Sequence, residues 1–246
     1  MNIPFERHIR LEGAFNVRDL GGYPIRAGGV TRWRSLLRAD GLHGLTPGDI
    51  ERLLSMGLKT VIDLRSEIEL ERQPSPFHGH EAVRYSHIPL FSELAPVDML
   101  TTGASPFDLA ARYVDAADRC RPAMGRVLAA VADAEEGMVL FNCSAGKDRT
   151  GLVAAMLLSL AGVDHDQIVD DYALTGSVAT PLLDRLRRQA LARGLDPEVA
   201  ARLLSCEPAT IRSLLSHVDI RYGGFRTYFD EPTAADHMRR IAERLA

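Results

Sequence analysis

Apolar positions are densest between Met138 and Val163. Met138 to Phe141 is a continuous apolar run of strand length, and Leu152 to Val163 is an apolar stretch of helical length interrupted only by Ser159 and Gly162. Between them lie Asn142, Cys143 and a short polar loop with small residues at Ser144, Ala145 and Gly146. The pattern predicts strand, tight loop, helix.

Elsewhere the periodicity changes along the chain. Tyr23 to Arg26 and Val30 to Trp33 flank Ala27-Gly28-Gly29, which reads as a hairpin after an irregular or extended first twenty residues. Thr46-Pro47-Gly48-Asp49 carries the signals of a helix start, with Ile50, Leu53 and Leu54 as the buried stripe and Gly57 as the stop. Leu58 to Leu64 is apolar on both faces toward its end, as in a buried parallel strand, and Val83 to Leu90 predicts another. The long stretch from Phe91 to Phe107 reads as a loop, functional or mobile. Leu109 to Ala134 has helical spacing with a break near Pro122, and Asp164 and Gln167 open a helix through Leu174. Helices follow over 181–193, 197–204, 208–217 and 233–245, with a turn at Tyr222-Gly223-Gly224-Phe225.

Strands alternating with helices predict an α/β fold: a mainly parallel central sheet with helices on both faces, and a helical C-terminal portion. No repeat or linker divides the chain, so 1–246 reads as one domain, with 176–220 as a helical insertion over the loop. Open sheets of this kind bind ligands at the carboxyl ends of their strands, which is where the loop after Phe141 falls.

Composition changes this picture little. At 246 residues the chain is long enough for one sizeable core, and a net charge of −4 gives no general attraction for nucleic acid or anionic membrane. Three cysteines, an odd number without framework spacing, suit a reducing compartment. Met1 to Asn16 has no apolar segment of signal-peptide length, and no run is long enough for membrane insertion. The expectation is a cytoplasmic protein, with export by another route left open.

The candidate chemistry sits in the loop. All three cysteines have an arginine six positions on: Cys120 with Arg126, Cys143 with Arg149, Cys206 with Arg212. Only Cys143 follows a strand, is succeeded by small residues and opens into a helix. Such a loop turns backbone N–H groups toward an anion at a helix N-terminus. A phosphate monoester fits it. The same field favours the thiolate of Cys143, the form that attacks. Arg149 presents a planar fork for two phosphoryl oxygens, and the backbone of Ser144, Ala145, Gly146 and Lys147 holds the rest. Thr150 can steady the sulfur, and the ammonium of Lys147 can widen the positive field toward substrates with further phosphates. Asp148 in the loop and Asp63 at a strand end are the candidate proton donors. No metal or cofactor is required.

The string from Cys143 to Gly151, Cys-Ser-Ala-Gly-Lys-Asp-Arg-Thr-Gly, resembles the signature of a bacterial tyrosine phosphatase family within the cysteine-dependent phosphatases. Asn16-Val17-Arg18-Asp19-Leu20-Gly21-Gly22 and Val61-Ile62-Asp63-Leu64-Arg65-Ser66 match as well, and Asp171-Tyr172-Ala173-Leu174-Thr175 matches more weakly. The resemblance implies hydrolysis of phosphotyrosine in a protein partner, with phosphoserine, phosphothreonine or phosphoinositide as further substrates. It also implies Asp148 as the acid, although Arg149 and the helix end favour its ionised form. One position departs from the pattern: Asn142 stands where the family usually has histidine, and asparagine can hydrogen-bond but carries no charge.

Other residues have plainer readings. Arg18 and Asp19 are expected to pair and fix the N-terminal segment, and Arg65 to pair with Glu67 or Glu69 or else to meet ligand. His78 and His80 belong to a solvated loop, and the arginines of 185–193 to a charged helix face. Two other functions compete: a cradle that binds phosphorylated ligands with weak turnover, and a sulfurtransferase-like cysteine carrier.

Overall fold

The computed structural model describes residues 5–91 and 107–246. Most of the predicted Phe91–Phe107 loop lies outside the described residues, as do the first four positions of the chain.

Five short strands form one sheet: β1 (Arg18–Asp19), β2 (Leu36–Ala39), β3 (Leu58–Asp63), β4 (Arg84–His87) and β5 (Met138–Asn142). Their order is β1-β2-β5-β3-β4, with β1 antiparallel to β2 and every other pairing parallel. The central β5 begins the loop that carries Cys143. In register, Asn142 stands beside Ala39 of β2 and Asp63 of β3, so these three residues end the middle of the sheet together.

Side chains alternate across the sheet, and each face has its own core. Val139 and Phe141 pack with Leu36 and Ile62 into the larger cluster; Met138 and Leu140 pack with Leu37, Leu58 and Val61 into the other. The smaller core is closed by α1 (Pro47–Ser55), which contributes Leu53. Thr46 and Asp49 make a reciprocal capping box there: Thr46 Oγ1 accepts the Asp49 N–H at 3.2 Å, and Asp49 Oδ2 accepts the Thr46 N–H at 3.1 Å. A short α2 (Glu67–Arg72) follows β3.

The larger core is covered by α3 (Leu109–Arg119), α4 (Arg121–Ala132), α5 (Asp148–Ala161), α6 (His165–Val178), α9 (Pro208–Tyr222) and α10 (Ala234–Leu245). The break expected near Pro122 falls at Cys120, with proline in the first turn of α4, where its missing N–H costs nothing. α5 runs into the core and is buried on nearly every side; it stops at Gly162, whose φ of 89° closes the helix end. α7 (Thr180–Ala192) and α8 (Pro197–Leu203) form a satellite around Leu182, Leu183 and Leu204.

Three elements differ from the sequence reading. The hairpin expected over 23–33 is reduced to one bridge between Pro24 and Val30, with no strand on either side. β2 has no counterpart there, because Leu36-Leu37-Arg38-Ala39 is four residues long and carries a charge; only tertiary partners for Arg38 make it a strand. α2 was hidden because six residues with no buried side chain leave no apolar stripe.

Candidate active site

The loop from Cys143 to Lys147 is held by its carbonyl oxygens. The Gly41 N–H donates to Ser144 O at 3.2 Å, and Asn16 Nδ2 donates to Ala145 O at 2.9 Å and Gly146 O at 3.1 Å. Arg38 Nη2 donates to Gly146 O at 2.8 Å. A trans peptide turns its N–H opposite its carbonyl, so each tether aims the next N–H away from the protein body. Among the described residues the N–H groups of Ser144 to Lys147 donate to no protein acceptor. Gly146 has a φ of 65°, and a Cβ there would lie 2.7 Å from Asp40 N and 2.8 Å from the Ala39 carbonyl, so only glycine allows the loop to fold this tightly against β2.

Behind the loop lies a buried ionic network. Asp171 on α6 accepts from the Tyr23 hydroxyl at 2.9 Å and from Arg38 Nη1, and pairs with Arg18 Nε at 3.6 Å. Burial pushes the Asp171 carboxyl up, but Arg38, Arg18 and Tyr23 outweigh it and hold it below the ordinary carboxylate range. Arg18, desolvated and beside Arg38, is pushed down to about 10. Arg18 Nη1 donates to Asn16 Oδ1, which fixes the amide that grips the loop. Asp40 accepts the N–H groups of Phe15 and Asn16 and seats the same segment. Arg18 and Asp19 therefore serve structure, but they do not pair: Asp19 accepts from Gly21 N and Arg34 N at 2.8 Å each.

In front of the loop is a cleft of about 290 Å³ lined by Cys143, Ser144, Ala145, Asp148 and Arg149 on one side and by Phe91, Leu109, Tyr113, Leu203 and Leu204 on the other, with Arg112 beside them. Cys143 is 2% exposed, at the floor. Glu69 of α2 accepts from Arg149 Nη1 at 2.6 Å and Nη2 at 2.8 Å, and from the Ser144 hydroxyl. Burial raises Glu69, yet Arg149, Ser144 and the Ser66 N–H together hold it far below the usual range. Arg149 is lowered by desolvation and raised more strongly by Glu69 and the Cys143 sulfur, so it stays a cation. The Arg149 guanidinium also lies 5.9 Å from the Phe91 ring centroid.

The structure brings Cys143, Ser144, Ala145, Asp148 and Arg149 into one cleft and sets Lys147 and Asp63 apart from it. Lys147 is fully buried: Nζ donates to Leu203 O at 2.6 Å and Ser205 O at 2.9 Å, and lies 3.0 Å from Asp148 Oδ1. Two carbonyls and one carboxylate thus satisfy the ammonium inside the protein, two by hydrogen bonds and the third as an ion pair. Asp63 is equally buried and is gripped by Arg65 Nη2 at 2.7 Å and Nε at 2.9 Å and by the Tyr85 hydroxyl at 3.2 Å. Arg65 thus pairs with Asp63, two residues back, instead of with Glu67 or Glu69. The Thr150 hydroxyl is buried beside the loop, and neither it nor the side-chain amide of Asn142 has a partner among the described residues. Asn142 acts through its backbone, where its carbonyl accepts the Leu64 N–H at 2.8 Å.

Glu69 and Tyr113 were missed in the sequence. Glu69 had a local signal, since Ser66 and Glu69 make a second capping box directly after β3. Tyr113 had none: in the sequence it is one apolar residue of a helix stripe. His80 Nδ1 accepts the Ala82 N–H inside its own turn, and among the described residues no three potential metal ligands gather. No described helix is long and apolar enough to cross a membrane.

Comparison with known proteins gives this geometry a context. A family model described as "Tyrosine phosphatase family" matches residues 9–246. A tyrosine-protein phosphatase of Nostoc commune is 34% identical over 142 residues, which cover 57% of this chain and 48% of that protein, so the match spans about half of that relative's length. A tyrosine-protein phosphatase by name from Cupriavidus necator is 27% identical over 232 residues, 90% of this chain and 82% of the relative. The triple specificity protein phosphatase PtpB of Mycobacterium tuberculosis is 29% identical over 233 residues, 82% of this chain and 80% of the relative.

Proposed function

The chain belongs to the tyrosine phosphatase family, and from that premise we propose that it hydrolyses phosphate monoesters, phosphotyrosine first, through a phosphocysteine at Cys143. The observation that carries the reading is Cys143 on the floor of a cleft whose loop offers N–H groups without acceptors among the described residues, with Arg149 at its rim. The N–H groups and the guanidinium receive the phosphoryl oxygens and oppose their charge as the bond order changes. The Cys143 thiolate attacks phosphorus and the ester oxygen leaves with a proton from Asp148. Water then attacks the phosphocysteine, Asp148 takes its proton, and the sulfur leaves as thiolate.

Asp148 is preferred to Asp63 as acid because it lines the cleft, while both Asp63 oxygens are bound to Arg65. Thr150, with a buried hydroxyl to spare, is the residue to steady the departing sulfur. The aromatic and aliphatic wall suits a phenyl ring. Phosphoserine, phosphothreonine and phosphoinositide complete the panel, in keeping with a relative whose name carries triple specificity. The three cysteines are all free thiols, which supports work in the reducing cytoplasm.

The reading extends to 176–220 as a helical wall over the site within one domain: Leu203 and Leu204 line the cleft, and Lys147 ties the carbonyls of Leu203 and Ser205 to the loop. Protection of that segment from limited proteolysis by vanadate is expected; an unchanged cleavage pattern counts against the wall.

The test of the function is vanadate-sensitive hydrolysis of p-nitrophenyl phosphate and a phosphotyrosine peptide, abolished in Cys143→Ser. Binding of phosphopeptide without turnover by the wild type would replace the reading with that of a binding module.

A further inference from the structure

Tyr113 faces the cleft but has no part in the chemistry described so far. It stands on α3, across from the loop, and is 1% exposed. Its hydroxyl lies 2.9 Å from Asp148 Oδ1 and 3.1 Å from the hydroxyl of Tyr172 on α6. The two rings meet edge to face with centroids 5.9 Å apart. Tyr172 is itself wedged against Gly151, where an added Cβ would sit 3.2 Å from the ring, so its hydroxyl has a fixed place.

A phenol has one proton to donate. A carboxylate only accepts, so the Tyr113 proton goes to Asp148, and Tyr172 donates its own proton to the Tyr113 oxygen. Burial, reinforced by the charge of Asp148, keeps both phenols protonated. Lys147 Nζ approaches the same Oδ1 at 3.0 Å. Oδ1 of Asp148 therefore takes both the Tyr113 hydrogen bond and the Lys147 ion pair, while Oδ2 has no donor among the described residues. A carboxyl with one oxygen pinned in this way carries a transferable proton on the other.

We propose that Tyr113, backed by Tyr172, is a positioning residue for proton transfer by Asp148, holding Oδ1 so that Oδ2 meets the leaving oxygen. The proposal rests on the phosphatase reading above. As the S–P bond forms, the P–O electron pair stays on the departing oxygen, which takes the proton from Oδ2. In the second step water gives a proton to Oδ2, its oxygen bonds phosphorus, and the S–P electrons return to sulfur. Tyr113 keeps its proton throughout.

A misplaced acid harms a substrate in proportion to its need for a proton. The test measures kcat/KM of the purified full chain on aryl phosphates from 2,4-dinitrophenyl to phenyl phosphate, for wild type, Tyr113→Phe and Tyr172→Phe. Tyr113→Phe should lose roughly ten- to thirty-fold on phenyl phosphate and under about three-fold on the dinitrophenyl ester. Tyr172→Phe should show the same trend, smaller, and carries the test alone if Tyr113→Phe does not fold. Equal losses along the series, or none, in a wild-type background that depends on Cys143 overturn this proposal and leave the phosphatase reading standing. A wild type that hydrolyses none of the esters overturns both.

Discussion

Glu69 grips both terminal nitrogens of Arg149, Nη1 through Oε2 at 2.6 Å and Nη2 through Oε1 at 2.8 Å, and so fixes the plane of the guanidinium at the rim of the cleft. The same carboxylate caps α2 through the Ser66 N–H at 2.8 Å, which ties the end of β3 to the arginine proposed to receive phosphate. Nη2 also donates to the Ser144 hydroxyl at 3.4 Å, so Nε–H is the donor that this grip leaves for the proposed phosphoryl group.

Glu69→Gln should keep the cap geometry but lose the charge and one acceptor. A fall in kcat/KM on p-nitrophenyl phosphate of about ten- to a hundred-fold is expected, corresponding to about 1.4–2.8 kcal/mol. The pH dependence has a definite sign. Glu69 has a folded-state value depressed below its unfolded one, so its stabilisation is fully present above the unfolded value, about 4.3, and is lost as pH falls through the folded value. Melting curves of wild type and Glu69→Gln should differ at pH 6 and converge as pH drops below about 4.

Lys147→Met should strip donors from the carbonyls of Leu203 and Ser205 and the ion pair from Asp148. A loss of about 1–3 kcal/mol in denaturant melts is expected for the unsatisfied groups. If Lys147 is tied up as the structure places it, activity on phosphotyrosine peptide and on a polyphosphorylated inositol lipid should fall together. A selective loss on the inositol lipid would instead put the ammonium on substrate.

Gly146→Ala combines a left-handed backbone with a Cβ inside contact distance of Ala39 and Asp40. The loop must move to relieve it. Activity should fall by at least about a hundred-fold with destabilisation of at least about 1 kcal/mol, read from kcat/KM and thermal melting.

Asp171→Asn removes the charge that Arg18 and Arg38 share in a fully buried site. A cost of about 3–5 kcal/mol is expected from the uncompensated guanidinium groups. Because those arginines hold Asn16 and the Gly146 carbonyl, phosphate binding measured by calorimetry should weaken as well.

The loop was legible because its information is local. A strand-length apolar run, three small residues and a buried helix stripe occur in unbroken order from Met138 to Val163, and hydrophobic period plus the conformational needs of Gly146 suffice to read them. Family membership followed from the same string. The capping boxes at Thr46 and Ser66 are equally local; the second was overlooked, and with it Glu69.

What the chain order could not reveal is which way the charged side chains turn. Lys147 and Arg149 are two residues apart in one loop, yet one ammonium is buried against the carbonyls of Leu203 and Ser205 while the guanidinium reaches Glu69 and the cleft. Asp63 looked available at a strand end until Arg65 folded back onto it. Tyr113 became a neighbour of Asp148 only when α3 packed across the loop. Hydrophobic patterning determines which segments are buried, because apolar area counts the same whatever its partner. The direction of a buried charge depends on which opposite charges or carbonyls come within reach, two positions away for Asp63 but dozens of positions away for Lys147, Arg149 and Asp171, and only the packed chain decides between them.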